Sequence, residues 1–129
     1  MSLPKILLVS LGGTITMTPH ANGGITPTLS ADDLIAAVPE LAAIARLEAA
    51  SPHRLPSASL RLGDLLEVAA LLRRKLADDC AGAVVIQGTD TIEETAFLLD
   101  LLVTGDKPVV VTGAMRGASA AGADGPANL

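Results

Sequence analysis

An α/β fold, with a parallel sheet flanked by helices, is predicted by three features of this chain. Lys5–Leu11 and Ala83–Gln87 are near-continuous apolar runs, and each leads directly into glycine. Strands buried on both faces read this way, and they belong to parallel sheets covered by helices. Around these runs lie segments with helical spacing of apolar residues, so strands and helices alternate along the chain. Hydrophobic residues make up 50% of the composition, yet Phe97 is the only aromatic, so the core is built from Ala, Leu, Val and Ile. Aliphatic side chains of this kind suit helices packed on a Val/Ile-rich sheet.

The elements follow in order. Lys5–Leu11 predicts the first buried strand. Residues 12–29 are rich in Gly, Thr and Pro and read as one long loop with little to bury, the kind that serves as a lid or binding loop. Ser30 with Asp33 starts a helix whose inner face carries Leu34, Ile35 and Val38, and Pro39 closes or kinks it. Residues 41–50 fit a helix by propensity, but a strand through Ile44–Ala49 fits the alternation better. Pro52–Ser59 is a loop. Gly63-Asp64 opens a long helix to about Asp79, with Leu65, Leu66, Ala69, Leu72 and Leu76 on one face. After the strand Ala83–Gln87, a helix begins at Thr91, with Glu94 as capping-box partner. Its core side carries Phe97, Leu98, Leu101 and Leu102, and Gly105 stops it. Lys107-Pro108 leads into the strand Val109–Thr112, and residues 113–125 are again loop. Asp124-Gly125-Pro126 reads as a helix start. With Leu129 following so soon, residues 1–129 are expected to form one domain that is incomplete on its C-terminal side, poorly stable by itself because apolar surface is left open.

Composition narrows the function. A net charge of −5 argues against non-specific nucleic-acid binding, which needs a basic face. The one basic run, Arg73-Arg74-Lys75, lies on a predicted helix and reads as a solvated face. Cys80 is the single cysteine, so no intrachain disulfide forms, and it is expected to fill an apolar gap near a helix end. Ile6–Leu11 is too short for a signal core or a membrane span, so a cytoplasmic location without membrane contact is the default.

Both apolar runs end in hydroxyl-bearing loops. Gly12-Gly13-Thr14 follows the first, and Gly88-Thr89-Asp90-Thr91 follows the second. In open parallel sheets that rim is where ligands bind. A threonine hydroxyl is a weak nucleophile unless a base or a neighbouring charge activates it. Glycines beside it let the backbone turn sharply and free N–H groups to hold an oxyanion. Asp90 could bind an ammonium or orient a basic group, and Thr89 could hold an attacking water. A Gly-Gly turn at Thr14, and a helix-capping cluster at Thr89–Thr91, account for the same residues without chemistry. Phosphate-loop and dinucleotide spacings are both missing. His20 and His53 stand alone, as isolated surface-loop residues, and no metal ligand set is evident.

Four segments carry a further resemblance. They are Leu11-Gly12-Gly13-Thr14-Ile15; Gln87-Gly88-Thr89-Asp90-Thr91-Ile92-Glu93-Glu94-Thr95-Ala96; Lys107-Pro108-Val109-Val110-Val111-Thr112-Gly113-Ala114-Met115-Arg116; and Ala123-Asp124-Gly125-Pro126-Ala127-Asn128-Leu129. In this order and spacing the chain resembles the bacterial-type L-asparaginases and glutaminase-asparaginases. Over residues 16–60 the likeness is looser, through Ala37-Val38-Pro39-Glu40-Leu41 and a Ser-rich loop.

The resemblance implies a Rossmann-like, three-layer large domain, here its N-terminal part, in a protein that also has a smaller domain and assembles as dimers or tetramers. It implies hydrolysis of asparagine, and possibly glutamine, to the acid and ammonia, with no metal or organic cofactor. Thr14 matches the nucleophile. Thr89 and Asp90 match the second catalytic group, and Asp90 also matches the residue that takes the substrate's α-ammonium. Ser57 matches the serine that holds the α-carboxylate, with Ser59 as the alternative, and Gly88 matches part of the pocket's backbone lining. Arg116, Asp124 and Asn128 fall at positions read as architectural.

The chain departs from the family pattern at three points. It has no tyrosine for the loop beside the nucleophile. The family's catalytic lysine would lie past Leu129, so residues 1–129 alone are expected to have little activity. Gln87 stands where the family has histidine. Two other readings share these motifs: a non-catalytic amino-acid-binding homologue, and the amidase subunit of a tRNA-dependent amidotransferase, although nothing in the chain is basic or RNA-directed.

Overall fold

The computed structural model describes residues 2–129. Strands β1 (Lys5–Ser10), β4 (Arg46–Ala50), β5 (Gly82–Ile86) and β6 (Val109–Thr112) form one parallel sheet in the order β4-β1-β5-β6. In register, Leu8 of β1 lies between Ala49 of β4 and Val84 of β5. Helices α2 (Leu62–Ala77) and α3 (Ile92–Leu102) cover one face, and the short α1 (Ala31–Ala36) lies on the other. The predicted α/β architecture of a parallel sheet between helices is therefore the observed one.

Alternate residues of the buried strands serve opposite faces. Leu7, Val9 and Leu11 meet Ala83 and Val85 and pack under Val68, Ala69, Leu72 and Leu76 of α2 and Leu99 of α3. Leu8 and Ile86 point the other way, to Ala31, Leu34, Ile15 and Ala114. Fully burying a side chain such as Leu72 stabilises by about 1.5–3 kcal/mol. Cys80 is fully buried in the first cluster, as expected for a gap filler, and desolvation pushes its thiol pKa up.

Several expectations are corrected. Residues 12–29 are more than loop, since β2 (Met17–Pro19) and β3 (Ile25–Pro27) pair as an antiparallel hairpin. Its turn uses Gly23 and Gly24 at positive φ, and Thr18 and Thr28 share a 2.6 Å hydroxyl–hydroxyl bond at its open end. Residues 39–43 form a 3-10 turn opened by Pro39, and the strand expected over 44–49 is β4, shifted two residues onward at its start.

One helix face is rotated from that predicted. In α3 the buried residues are Thr95 and Leu99, while Phe97 is 67% and Leu101 59% exposed. This helix is apolar on more than one side, so two overlapping stripes were available, and packing against β5 and β6 chose the one through Thr95, Leu99 and Leu102. In α2 the predicted stripe of Leu65, Ala69, Leu72 and Leu76 faces the core, joined by Val68, and only Leu66, 46% exposed, departs from it.

The start of α1 is as predicted, for Ser30 Oγ accepts from Asp33 N while Asp33 accepts from Ser30 N. That hydrogen bond from the Ser30 amide lowers the Asp33 pKa. The capping box expected at Thr91 and Glu94 does not form, because the Thr91 hydroxyl makes other bonds, described below. At the far end of α2, Lys107 Nζ donates to the carbonyls of Leu76 and Cys80, which gives a cation to the helix C-terminus. The basic run is only partly a solvated face, since Lys75 pairs with Glu48. Among the described residues, no helix is long and apolar enough to cross a membrane.

Candidate active site

The sheet order decides where a ligand can enter. From β1 the chain steps outward to β4, then crosses back to β5 on the other side of β1. Loops leaving the C-terminal ends of β1 and β5 therefore diverge, and the crevice of a doubly wound sheet opens at such a switch point. Thr14 follows β1, and Thr89-Asp90 follows β5.

Glycine permits these loops to touch. Gly13 has φ 87° and ψ −180°, a conformation open to glycine alone. A Cβ on Gly13 would lie 2.5 Å from Gly88 Cα and 2.6 Å from the Gln87 carbonyl carbon. Gly88 in turn faces Ser57, whose Oγ would be 2.9 Å from a Cβ added there. Gly113, just after β6, packs on the Gln87 carbonyl oxygen and on Thr89 Cγ2. Four chain segments thus meet at backbone contact, at positions where no side chain would fit.

Each predicted residue has a definite place. Thr14 is half-buried and opens a 3-10 turn over Thr14–Thr16, which Thr16 closes by donating through both N and Oγ1 to the Gly13 carbonyl, at 2.9 and 2.7 Å. Thr89 is half-buried and Asp90 exposed, on a second such turn leading into α3. Ser57 is 2% exposed, and its Oγ has no hydrogen-bond partner among the described residues. Ser59 is exposed on the same 3-10 turn, away from that buried contact. A buried hydroxyl without a partner is costly unless a ligand completes it.

A link between these loops escaped the sequence reading. Gln87 is fully buried; its Nε2 donates to the Gly88 carbonyl at 3.2 Å and to Thr91 Oγ1 at 3.3 Å. Thr91 Oγ1 donates onward to the Ser57 carbonyl at 3.3 Å. Nothing in local spacing predicts this bond, because Ser57 lies 34 residues before Thr91.

Arg116, Asp124 and Asn128 brace the loop after β6. Asp124 accepts from the Met115 and Arg116 amides at 2.9 Å each, and these donors lower its carboxyl pKa. Asn128 donates to the Gly113 carbonyl at 2.9 Å, and Arg116 to that of Ala121 at 3.0 Å. Gly125, at the start of α4 (Gly125–Asn128), packs on Ile15, next to Thr14.

Other features lie elsewhere. Glu48, Asp79 and Cys80 hold atoms close enough to share a metal ion, but at the N-terminal end of the sheet, where Lys5 pairs with Glu48 and Asp79 at 2.7 and 2.8 Å. Lys5 on both carboxylates, with Lys75 on Glu48, already balances their charge. His20 is exposed, whereas His53 is half-buried, 3.9 Å from Asp64, and so less of a surface residue than expected.

Comparison with known proteins agrees with this fold. The chain is 46% identical to the Saccharomyces cerevisiae L-asparaginase 2-3 over 99% of its own length and 36% of that protein. It is 41% identical to L-asparaginase 2 of Bacillus subtilis, over 98% of this chain and 35% of that one. Among solved structures, that of a probable cytoplasmic L-asparaginase from Campylobacter jejuni superposes with a TM-score of 0.86 at 34% identity, covering 96% of this chain and 37% of that one. The chain thus spans about a third of the length of the relatives it matches. The sequence model described as "Asparaginase, N-terminal" matches residues 5–129, and the chain belongs to that asparaginase family.

Proposed function

We propose that this chain is the nucleophile-bearing, N-terminal part of the large domain of an amidohydrolase that converts asparagine to aspartate and ammonia. The observation that supports the reading is the contact of Gly13 with Gly88 and of Gly88 with Ser57, which brings the loops that carry Thr14, Ser57 and Thr89-Asp90 together beside the switch point between β1 and β5. The activity is that of the intact protein, since the chain spans about a third of its relatives.

In this reading Ser57 binds the α-carboxylate and Asp90 the α-ammonium of a free amino acid. These anchors hold the side-chain amide over Thr14. Thr14 Oγ attacks the amide carbon, the C–N bond breaks, and ammonia leaves with the hydroxyl proton. Backbone N–H groups beside the Gly12-Gly13 turn stabilise the oxyanion, and one such donor is worth about 3 kcal/mol. Water positioned by Thr89 then attacks the ester carbon, aspartate departs, and the proton returns to Thr14 Oγ. The partners are the amino-acid substrate and further copies of the chain, as dimer or tetramer. Glutamine is the candidate second substrate. A cytoplasmic site follows the name of the Campylobacter jejuni protein.

Thr14→Ala is the test. Ammonia release from asparagine should fall at least a thousandfold while L-aspartate still binds, since a missing nucleophile blocks chemistry and leaves both anchors. A variant keeping a tenth of the wild-type rate would remove Thr14 from the mechanism. An unsubstituted protein that binds aspartate without turnover would favour the non-catalytic reading.

A further inference from the structure

We propose that Gln87 and Thr91 act together as a positioning pair that sets the spacing between the two ends of the amino-acid site. This inference rests on the function proposed above and names residues beyond those assigned there. The donor order along the pair is unambiguous. Both partners of Gln87 Nε2 must accept: the Gly88 carbonyl can do nothing else, and Thr91 Oγ1 has committed its proton to the Ser57 carbonyl. The side-chain amide is therefore held in one orientation, with Nε2 towards the loops.

Its consequence is a tether between two segments far apart in sequence. Ser57 sits on the turn before α2, and Gly88-Thr89-Asp90 on the turn before α3. Hydrogen bonds within one element do not connect these turns. The chain from Gly88 O through Gln87 and Thr91 to Ser57 O does, inside a region where Gln87 is fully buried and Ser57 nearly so. Thr91 gives up its capping role in α3 for it. A free α-amino acid presents carboxylate and ammonium at a fixed separation, so a site that recognises both must hold its own two anchors at a matching distance. Gln87 and Thr91 are the side chains that impose that distance, and neither contacts the Thr14 turn through these bonds. Their loss should therefore weaken recognition of the amino-acid ends more than it slows the chemical step.

The experiment uses the intact protein and two readouts: asparagine hydrolysis, and calorimetric binding of L-aspartate. Gln87→Leu and Thr91→Val should each raise the asparagine KM and the aspartate Kd at least tenfold, with kcat falling by a smaller factor. The double variant should be no weaker in binding than the worse single, because either change breaks the same chain. Thr91→Ser, which keeps the hydroxyl, should bind within threefold of wild type. Gln87→Glu covers the case of a variant that misfolds. It keeps shape but loses both donors when ionised, and its binding should recover in part as pH falls and the carboxyl gains one O–H donor. Unchanged KM and Kd in both single variants, multiplicative losses in the double, or equal losses in Thr91→Ser and Thr91→Val would overturn the pair. Wild-type protein that neither binds aspartate nor releases ammonia would instead overturn the proposed function itself.

Discussion

Gly13→Ala isolates the contact on which the site depends. Gly13 adopts φ 87°, and a Cβ there would lie 2.5 Å from Gly88 Cα. Carbon atoms in ordinary contact lie about 3.5–4.0 Å apart, so the two loops must separate by roughly 1 Å. Forcing alanine into this conformation costs about 1–3 kcal/mol. Overpacking against backbone, which cannot swing aside as a side chain can, adds about 1–3 kcal/mol more. The expected loss of stability is about 2–6 kcal/mol. Gly23→Ala is the matched control. It has a similar φ of 84°, yet no heavy atom lies within 4 Å of an added Cβ, so strain acts there alone, at about 1–2 kcal/mol. Urea unfolding followed by circular dichroism compares the two directly. A gap of about 1–3 kcal/mol between the variants is expected from the overpacking term. Activity should separate them further, because misplacing reacting groups by about 1 Å costs on the order of a hundredfold in rate. If Gly13→Ala unfolds within about 0.5 kcal/mol of Gly23→Ala, a spread typical of neutral surface changes, the loops do not meet as described.

Other perturbations have equally definite outcomes. Lys5, first, and then Lys75 push the Glu48 carboxyl pKa down to about 2 from 4.5, so its stabilising effect is complete above pH 4.5 and is lost as pH falls towards 2. Glu48→Gln should flatten the decline of the urea midpoint over that interval, and identical declines would rule out the ion pairs as its source. Lys107→Met removes donors from two carbonyls at the end of α2 and should destabilise by about 1–3 kcal/mol, read as a shift in the urea midpoint. Asp124→Asn replaces one carboxylate oxygen that accepts a backbone amide with an NH₂ group that cannot. It should loosen the 113–124 loop, seen as faster amide exchange at Met115 and Arg116, and unchanged exchange there would contradict the bracing role. The Cys80 thiol, fully buried and with a raised pKa, should react with a disulfide reagent at least a hundredfold more slowly in native than in urea-unfolded protein.

Much of this protein was legible in order along the chain, and the limits of that legibility are physical. Apolar runs ending in glycine marked β1 and β5 because strands buried on both faces need nothing else, and a shorter run marked β6, an edge strand with Val110 exposed. The same runs placed Thr14, Thr89 and Asp90 on one rim, since parallel strands send all their C-terminal ends to the same edge. Ser30 and Asp33 announced α1 through bonds made within four residues. The inner face of α3 was not legible, because a helix apolar on more than one side takes its orientation from what packs on it, and Phe97 was left exposed. The hairpin within residues 12–29 also escaped, since strands of three residues carry too little pattern to stand out.

By itself, then, the sequence determined the α/β class, the strand ends, the glycines and the hydroxyl and carboxylate groups beside them, all consequences of short-range sterics and burial. Tertiary structure alone decided which segments meet: Ser57 beneath Gly88 with Ser59 left outside, Gly113 on the Gln87 carbonyl, and Thr91 bonded to Ser57 in place of capping its own helix. Those choices depend on sheet order and on backbone approaches between residues tens of positions apart. Such contacts leave no periodic trace in the chain, because only the packed sheet brings their partners within reach of one another.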